Sequence, residues 1–280
     1  MRVSLAFVLL AASASAAVPG RAGGADPERT YVFAVVPQGP PVVTNARWSP
    51  ILERIARDTG IPLRIKLYER VETFQTDLTA GVADFAYLNP VQAVRAHRAA
   101  RYRPLVRDEK PIRGVFFVAR DSPFTSVASL AGREVAFVGP WSFCSVSLRH
   151  QVRGLGIVPR YVGTGANATK HVLLGLAPAG GLLDVALEDA PPEVRDRLRV
   201  VFRTPPMAPH AVVVHPRVPR EVADRVGDAL RALAREAPGL ELMRRVHMVA
   251  PMAAEYDRDY APLEHLLDDA PDARPPGRAR

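Results

Sequence analysis

The strongest constraint on the fold is a repeated alternation of short apolar runs with longer helical patterns, punctuated by Gly, Pro and Asn. Thr30 to Val36 is β-branched and aromatic and stops at Pro37-Gln38-Gly39-Pro40-Pro41, a buried strand entering a loop. Trp48, Ile51, Leu52, Ile55 and Ala56 then fall on one helical face that Gly60 closes. Leu63 to Leu67 reads as a second strand and Val71 to Ala80 as a second helix, with Phe74 and Leu78 inward. A short strand ending at Asn89-Pro90 and a helix from Val91 to Ala100 complete a third unit. Strands alternating with helices predict βαβ units and a mostly parallel sheet.

The same alternation resumes further along. Gly114 to Ala119 and Glu134 to Val138 read as strands, Asn167 to Leu176 and Glu193 to Leu198 as helices, and Asp184 to Leu187 and Arg199 to Phe202 as strands. Pro205, Pro206 and Pro209 force an extended crossing before the strand His210 to His215. Glu221 to Glu236 is amphipathic, with Val222, Val226, Leu230 and Leu233 on one face. Two crossings, near Phe116 to Arg120 and near Thr204 to His210, predict two α/β lobes with a cleft between them. Residues 29–117 plus 209–267 are expected to form the first lobe and 118–208 the second, with a disordered tail over 268–280.

One turn is chemically distinctive. The strand Glu134 to Val138 breaks at Gly139-Pro140, and Trp141-Ser142-Phe143-Cys144-Ser145-Val146-Ser147 leads into a helical segment. The first N–H groups of a helix lack internal partners and the macrodipole is positive there, so such a turn suits an oxyanion. Ser142, Ser145 and Ser147 can add hydroxyl donors. The alternative is that Ser142 or Ser145 only caps the helix.

Composition narrows the compartment and the partners. Met1-Arg2, an apolar run from Val3 to Ala12 and an Ala-x-Ala exit form a secretory signal peptide over residues 1–17, cleaved after Ala16 or Ala17, with a Gly/Ala/Pro-rich lead-in over 18–28. The apolar run is too short to span a bilayer. A single cysteine, Cys144, precludes an internal disulfide and leaves a lone thiol in an oxidising compartment. The formal charge of +8 is carried by arginines scattered among acids, which are solvated faces rather than a nucleic-acid footprint. His150, His171, His210 and His215 show no metal-ligand spacing, and no cofactor motif occurs.

Trp48-Ser49-Pro50, Leu78 to Tyr87, and Ser129-Leu130-Ala131-Gly132-Arg133 through Phe137, followed in order by Gly154-Leu155-Gly156-Ile157 and Lys170-His171-Val172-Leu173-Leu174, resemble the phosphate/phosphite/phosphonate ABC-transporter substrate-binding family. The resemblance implies a type II periplasmic-binding-protein fold without catalysis, closing on a small oxyanion for an ABC permease, and the chain is expected to act as a monomer. It places ligand contacts at Tyr87, the turn Ser142 to Ser145, and His171. Gln38, just past the first strand's carboxyl end, Trp141 and Phe143 are further candidates, with Phe74 or Glu72 on the first lobe's wall.

The sequence departs from that family where Trp141-Ser142-Phe143-Cys144-Ser145 stands in place of a Ser/Thr-rich turn. A thiol is a poor donor to phosphate but a ligand for soft centres, and a helix N-terminus favours the thiolate. A second reading is therefore arsenite binding through Cys144 with signalling to a membrane sensor histidine kinase. A third is a thiol enzyme with Cys144 as nucleophile and His171 or His150 as base. The aspartate that aminophosphonate binders use for the ligand amine is not evident in Pro205 to His210.

Overall fold

The computed structural model describes residues 29–271; the expected signal peptide and lead-in, and tail residues 272–280, lie outside the described residues. The chain builds two sheets, each flanked by helices. The first contains Tyr31–Val35 (β1), Leu63–Lys66 (β2), Phe85–Leu88 (β3) and Arg103–Asp108 (β4), joined by the helices Pro41–Thr59 (α1), Val71–Thr79 (α2) and Pro90–Ala100 (α3). The second contains Gly114–Ala119 (β5), Glu134–Phe137 (β6), Val158–Tyr161 (β7), Ala179–Leu183 (β8) and Leu198–Arg203 (β9). Its connections include the helices Phe143–Gln151 (α4), Gly165–Leu173 (α5), Asp184–Glu188 (α6) and Pro192–Arg195 (α7). The chain then returns to the first sheet with Ala211–Val214 (β10), Arg220–Leu233 (α8), Ala237–Arg244 (α9) and Pro251–Ala253 (β11).

Strand order is β11-β4-β10-β3-β1-β2 in one sheet and β7-β6-β8-β5-β9 in the other. The expectation of mostly parallel sheets holds only for their βαβ parts. β1 pairs in parallel with β2 and β3, and β6 with β7 and β8. β10, β4 and β11, and likewise β5 with β8 and β9, pair antiparallel. Strands entering just after a crossing arrive from the opposite direction, so both sheets are mixed.

The first crossing also lies earlier than expected. All of β5 belongs to the second sheet, so the chain leaves the first between Asp108 and Gly114 rather than near Phe116 to Arg120. It returns through Thr204 to His210, and the two crossing segments pair with each other. Ile112 and Met207 exchange both backbone hydrogen bonds at 3.0 Å. Asp84 ties the first sheet's edge loops together: its buried carboxylate accepts from Arg29 at 2.9 Å, Arg217 at 2.7 Å and the Val32 amide at 2.9 Å.

Several local outcomes have plain causes. α1 begins at Pro41, seven residues before Trp48, because Pro at the first helical position gives up no hydrogen bond. Asp184 to Leu187 is helical, and the strand is the preceding Ala179-Gly180-Gly181-Leu182-Leu183. Its glycines carry no β-propensity signal, yet they are required. A Cβ on Gly180 would lie 2.3 Å from Phe117 Cζ, and one on Gly181 2.6 Å from Phe137 Cε1. The C-terminal segment is ordered past Asp268: a 3-10 helix spans Ala261–Asp269, and Asp269 accepts from His150 and Arg153, each at 2.6 Å. These bonds hold the segment Ala261–Asp269 against α4. Among the described residues no helix is long and apolar enough to cross a membrane.

Candidate functional site

In a parallel βαβ unit every helix starts where a strand ends, so the carboxyl edge of the sheet gathers helix N-termini. Here both sheets turn that edge toward one cleft of about 600 Å³. Its wall includes residues at the start of six helices. Gly39 precedes α1, Arg70 precedes α2, Asn89 caps α3, Ser142 caps α4, Thr164 caps α5, and Leu183 precedes α6. The first five of these ends carry the partial positive charge of a helix start, whereas at the short α6 the Asp184 amide donates to the Arg113 carbonyl and the Val185 amide to Asp184 Oδ1, each at 2.9 Å. The charged side chains on the wall are Glu69, Arg70 and Glu72, all exposed. The remaining polar lining is neutral.

The turn into α4 is built as the sequence suggests. The Ser142 amide donates to the Gly139 carbonyl at 3.2 Å, closing a four-residue turn with Pro140 at its second position. Ser142 Oγ then accepts from the Ser145 amide at 3.3 Å and caps the helix. The two readings of Ser142 are therefore compatible, since the residue caps α4 and borders the cleft. The amides of Phe143 and Cys144, ahead of the first intrahelical donor, stay at the cleft end of the helix.

Cys144 borders the same cleft but is 5% exposed, with Sγ 2.8 Å from Ser142 Oγ. The expected thiolate is not what this environment favours. Burial pushes the thiol pKa up, and hydrogen bonding from Ser142 and Ser145 and the nearby amides offsets only part of it. Cys144 is a neutral thiol packed against its own cap.

Trp141, Phe143 and Gln38 join Ser142 and Cys144 on the cleft wall. Ser145 does not: it is wholly buried behind the cap, its Oγ 3.1 Å from Ser142 Oγ. Ser147 is also buried and donates to the Cys144 carbonyl at 3.3 Å. Tyr87 lines an adjoining chamber of about 620 Å³ that shares Gln38 and His210 with the cleft. Its hydroxyl is already used, donating to the Val246 carbonyl at 3.0 Å, and burial raises its pKa.

The structure does not bring His171 to the cleft. Only the first turn of α5 reaches the wall, and His171 lies six residues along, about 9 Å down the axis. Its Nδ1 lies 2.8 Å from the Asn167 carbonyl oxygen. His150 is at the far end of α4 on Asp269. Neither histidine expected as a base for Cys144 borders the cleft that holds the thiol. Phe74 is core, whereas Glu72 sits on the wall.

Sequence reasoning missed His210, Asn89 and Gln92. His210 packs 5.4 Å from the Tyr87 ring, with Nε2 3.1 Å from Gln38 Nε2. Burial, aided by His247, lowers its pKa to about 3, so the ring is neutral. The signal for these residues was positional, because each sits at the junction of a strand and its neighbouring connection. Among the described residues no group of three or more His, Cys, Asp or Glu could hold a metal.

Two lobes joined by two paired crossings around a cleft lined by helix N-termini define a solute-binding protein. The family profile for the ABC-transporter phosphonate periplasmic substrate-binding protein matches residues 33–260, and the chain belongs to that family. Membership gives it a small solute as ligand, an ABC permease as partner and the periplasm as its place. No curated protein matches the chain.

Solved structures show the same fold. PhnD1 from Prochlorococcus marinus in complex with methylphosphonate superposes with a TM-score of 0.73 at 13% identity, covering 87% of this chain and 100% of that one. A protein of Xanthomonas citri bound to chloride ion gives 0.72 at 19% identity, covering 85% and 97%. The binding protein component of an ABC phosphonate transporter from Pseudomonas aeruginosa gives 0.67 at 12%, covering 85% of each.

Proposed function

We propose that the cleft captures a small phosphorus oxyanion of the phosphate, phosphite or alkylphosphonate class and presents it to an ABC permease. The observation that carries this reading is the convergence of five helix N-termini on a wall whose charged side chains are all exposed. Fixed amide dipoles stabilise negative charge without introducing a cation that would need its own counter-charge when the cleft is empty. The Ser142 turn is the second lobe's seat for the anion, and Trp141 and Phe143 limit its size and its water. The carboxylates on the wall, Glu69 and Glu72, are both exposed, which disfavours a ligand with an amine held deep in the cleft.

Export behind a signal peptide over residues 1–17 and action as a monomer complete the proposal. The arsenite reading is not favoured, because the thiol it needs is buried, protonated and hydrogen-bonded to Ser142. Calorimetric titration with phosphate, phosphite, methylphosphonate and arsenite tests the choice. Cys144→Ser is expected to keep or improve binding of the phosphorus ligands, and Ser142→Ala to weaken it about tenfold, the effect of one hydrogen bond to a charged group. Arsenite binding that vanishes in Cys144→Ser, with no phosphorus ligand bound by the parent protein, refutes the reading.

A further inference from the structure

Gln92 occupies the third position of α3 and completes a reciprocal cap. The Gln92 amide donates to Asn89 Oδ1 at 2.9 Å, and the Asn89 amide donates to Gln92 Oε1 at 3.1 Å. The second of these bonds fixes which way the side-chain amide points. A reversed amide would set its NH2 against the Asn89 N–H, donor against donor. Nε2 therefore carries two hydrogens away from the cap. It is buried and has no partner among the described residues, while Gln92 as a whole is 3% exposed.

An unpaired buried donor costs about 1–3 kcal/mol, and this one is avoidable, because Glu at the same position would cap the helix equally well. Gln92 and Asn89 border the cleft together with Ser142 and Cys144, which belong to the other lobe. The residue that carries the orphan donor thus borders the ligand cleft, with Nε2 buried just behind the wall at the N-terminal end of an eleven-residue helix.

We propose that Gln92 Nε2 is the first lobe's hydrogen-bond donor to the bound ligand, answering the Ser142 seat across the cleft. The inference rests on the oxyanion reading given above and sharpens it. A ligand gripped by uncharged donors from both lobes must present acceptor oxygens on two sides. Phosphate and an alkylphosphonate dianion do so. A ligand that turns an ammonium group toward the first lobe would meet the Nε2 hydrogens and is excluded.

The test is Gln92→Glu, which retains the capping oxygen and the side-chain volume and replaces the donor with an anionic acceptor. Binding is read by calorimetry and by fluorescence of Trp141, with phosphate and methylphosphonate as probes. The expected result is an unchanged or slightly raised melting temperature with affinity reduced at least tenfold for both probes. Parent-like affinity in Gln92→Glu, in a protein whose parent binds either probe, overturns the role of Gln92 and leaves the oxyanion reading standing. A parent that binds neither probe overturns the oxyanion reading itself, and this inference with it. A melting temperature lowered by several degrees would assign Gln92 to capping alone and also overturn the proposal.

Discussion

The proposed anion seat at Ser142 depends on a packing contact well below it. Leu148, two turns along α4, lies over the sheet at two glycines. A Cβ on Gly181 would lie 2.9 Å from Leu148 Cδ1 and 2.6 Å from Phe137 Cε1, and one on Gly114 2.8 Å from Leu148 Cγ. Neither glycine has a left-handed backbone, so Ala at either site brings no strain of its own. What Gly181→Ala brings is overpacking. Ordinary carbon contacts begin near 3.5 Å, so the Phe137 ring must retreat by about 0.9 Å and Leu148 by about 0.6 Å, and both movements press on the packing that seats α4. Overpacking of a formed core costs about 1–3 kcal/mol, and the smaller entropy of the unfolded Ala chain returns about 0.4–1. A net loss of about 1–2 kcal/mol lowers the melting temperature of a protein this size by about 2–8 °C. Thermal scans with and without phosphate check it. Gly154→Ala, where nothing lies within 4 Å of the added carbon, should keep the entropic gain alone and raise the melting temperature by about 1–4 °C. The displaced α4 should also weaken ligand binding more than Gly180→Ala does, since that substitution strikes Phe117 on the opposite face. A Gly181→Ala protein as stable and as tight-binding as its parent would refute the claim that α4 is seated by this contact.

Two further predictions concern pH. Burial alone would raise the pKa of Asp259, but hydrogen bonds from Arg258, Arg107 and the Glu255 amide bring it down to about 2. A carboxylate depressed on folding stabilises the protein above its unfolded pKa and loses that contribution as pH falls from about 4 to about 2. About 2 kcal/mol should disappear over that window in urea titrations, and Asp259→Asn should flatten the dependence. His210 has its pKa lowered to about 3 from the ordinary value by burial, so the unfolded chain takes up a proton that the native ring refuses. Stability should therefore decline as pH falls from about 6.5 toward 3, and His210→Gln should remove that slope from the urea midpoints.

Much of this architecture is legible in the sequence because burial and chain reversal leave marks on residue choice. Thr30 to Val36, Phe85 to Leu88 and His210 to His215 read as buried strands, and Gly60 and Asn89-Pro90 as helix boundaries, because each relies on local chemistry. The turn at Gly139 to Cys144 is legible for the same reason. The misreadings fall where a neighbour distant in sequence decides. The sequence pattern puts the strand at Asp184 to Leu187, one element late, because Gly180-Gly181 carry no strand signal until Phe117 and Phe137 are seen to fill the space a side chain would need. The thiol of Cys144 has a helix start nearby, which favours the thiolate, but burial prevails, and burial is a property of the assembled lobe. His171 sits in a matching stretch, yet the rise of α5 carries it past the wall. Gln92, three residues after Asn89, forms half of a capping box. That its other half is an orphan donor can be seen only once the opposite lobe is in place.

The preference for an anion proposed for the cleft follows from backbone topology more than from any side chain. A cation buried between lobes would be desolvated in the empty protein and would need a carboxylate to balance it. That carboxylate would compete with an incoming oxyanion. Helix amides avoid the conflict because their dipoles are held by the intrahelical hydrogen bonds behind them, whether or not a ligand is present. The side chains added to this frame, Ser142, Gln38, Asn89 and Gln92, are all uncharged, and His210 is kept uncharged by burial. Neutral donors can tell a deprotonated oxygen from an O–H or an N–H, because a ligand proton leaves a donor facing a donor. Selectivity in such a site should follow the protonation state of the ligand, with affinity rising as pH passes the second pKa of the phosphorus acid. Titrations of one ligand across that range, with the protein's own stability curve as the baseline, would separate this from a response of His210.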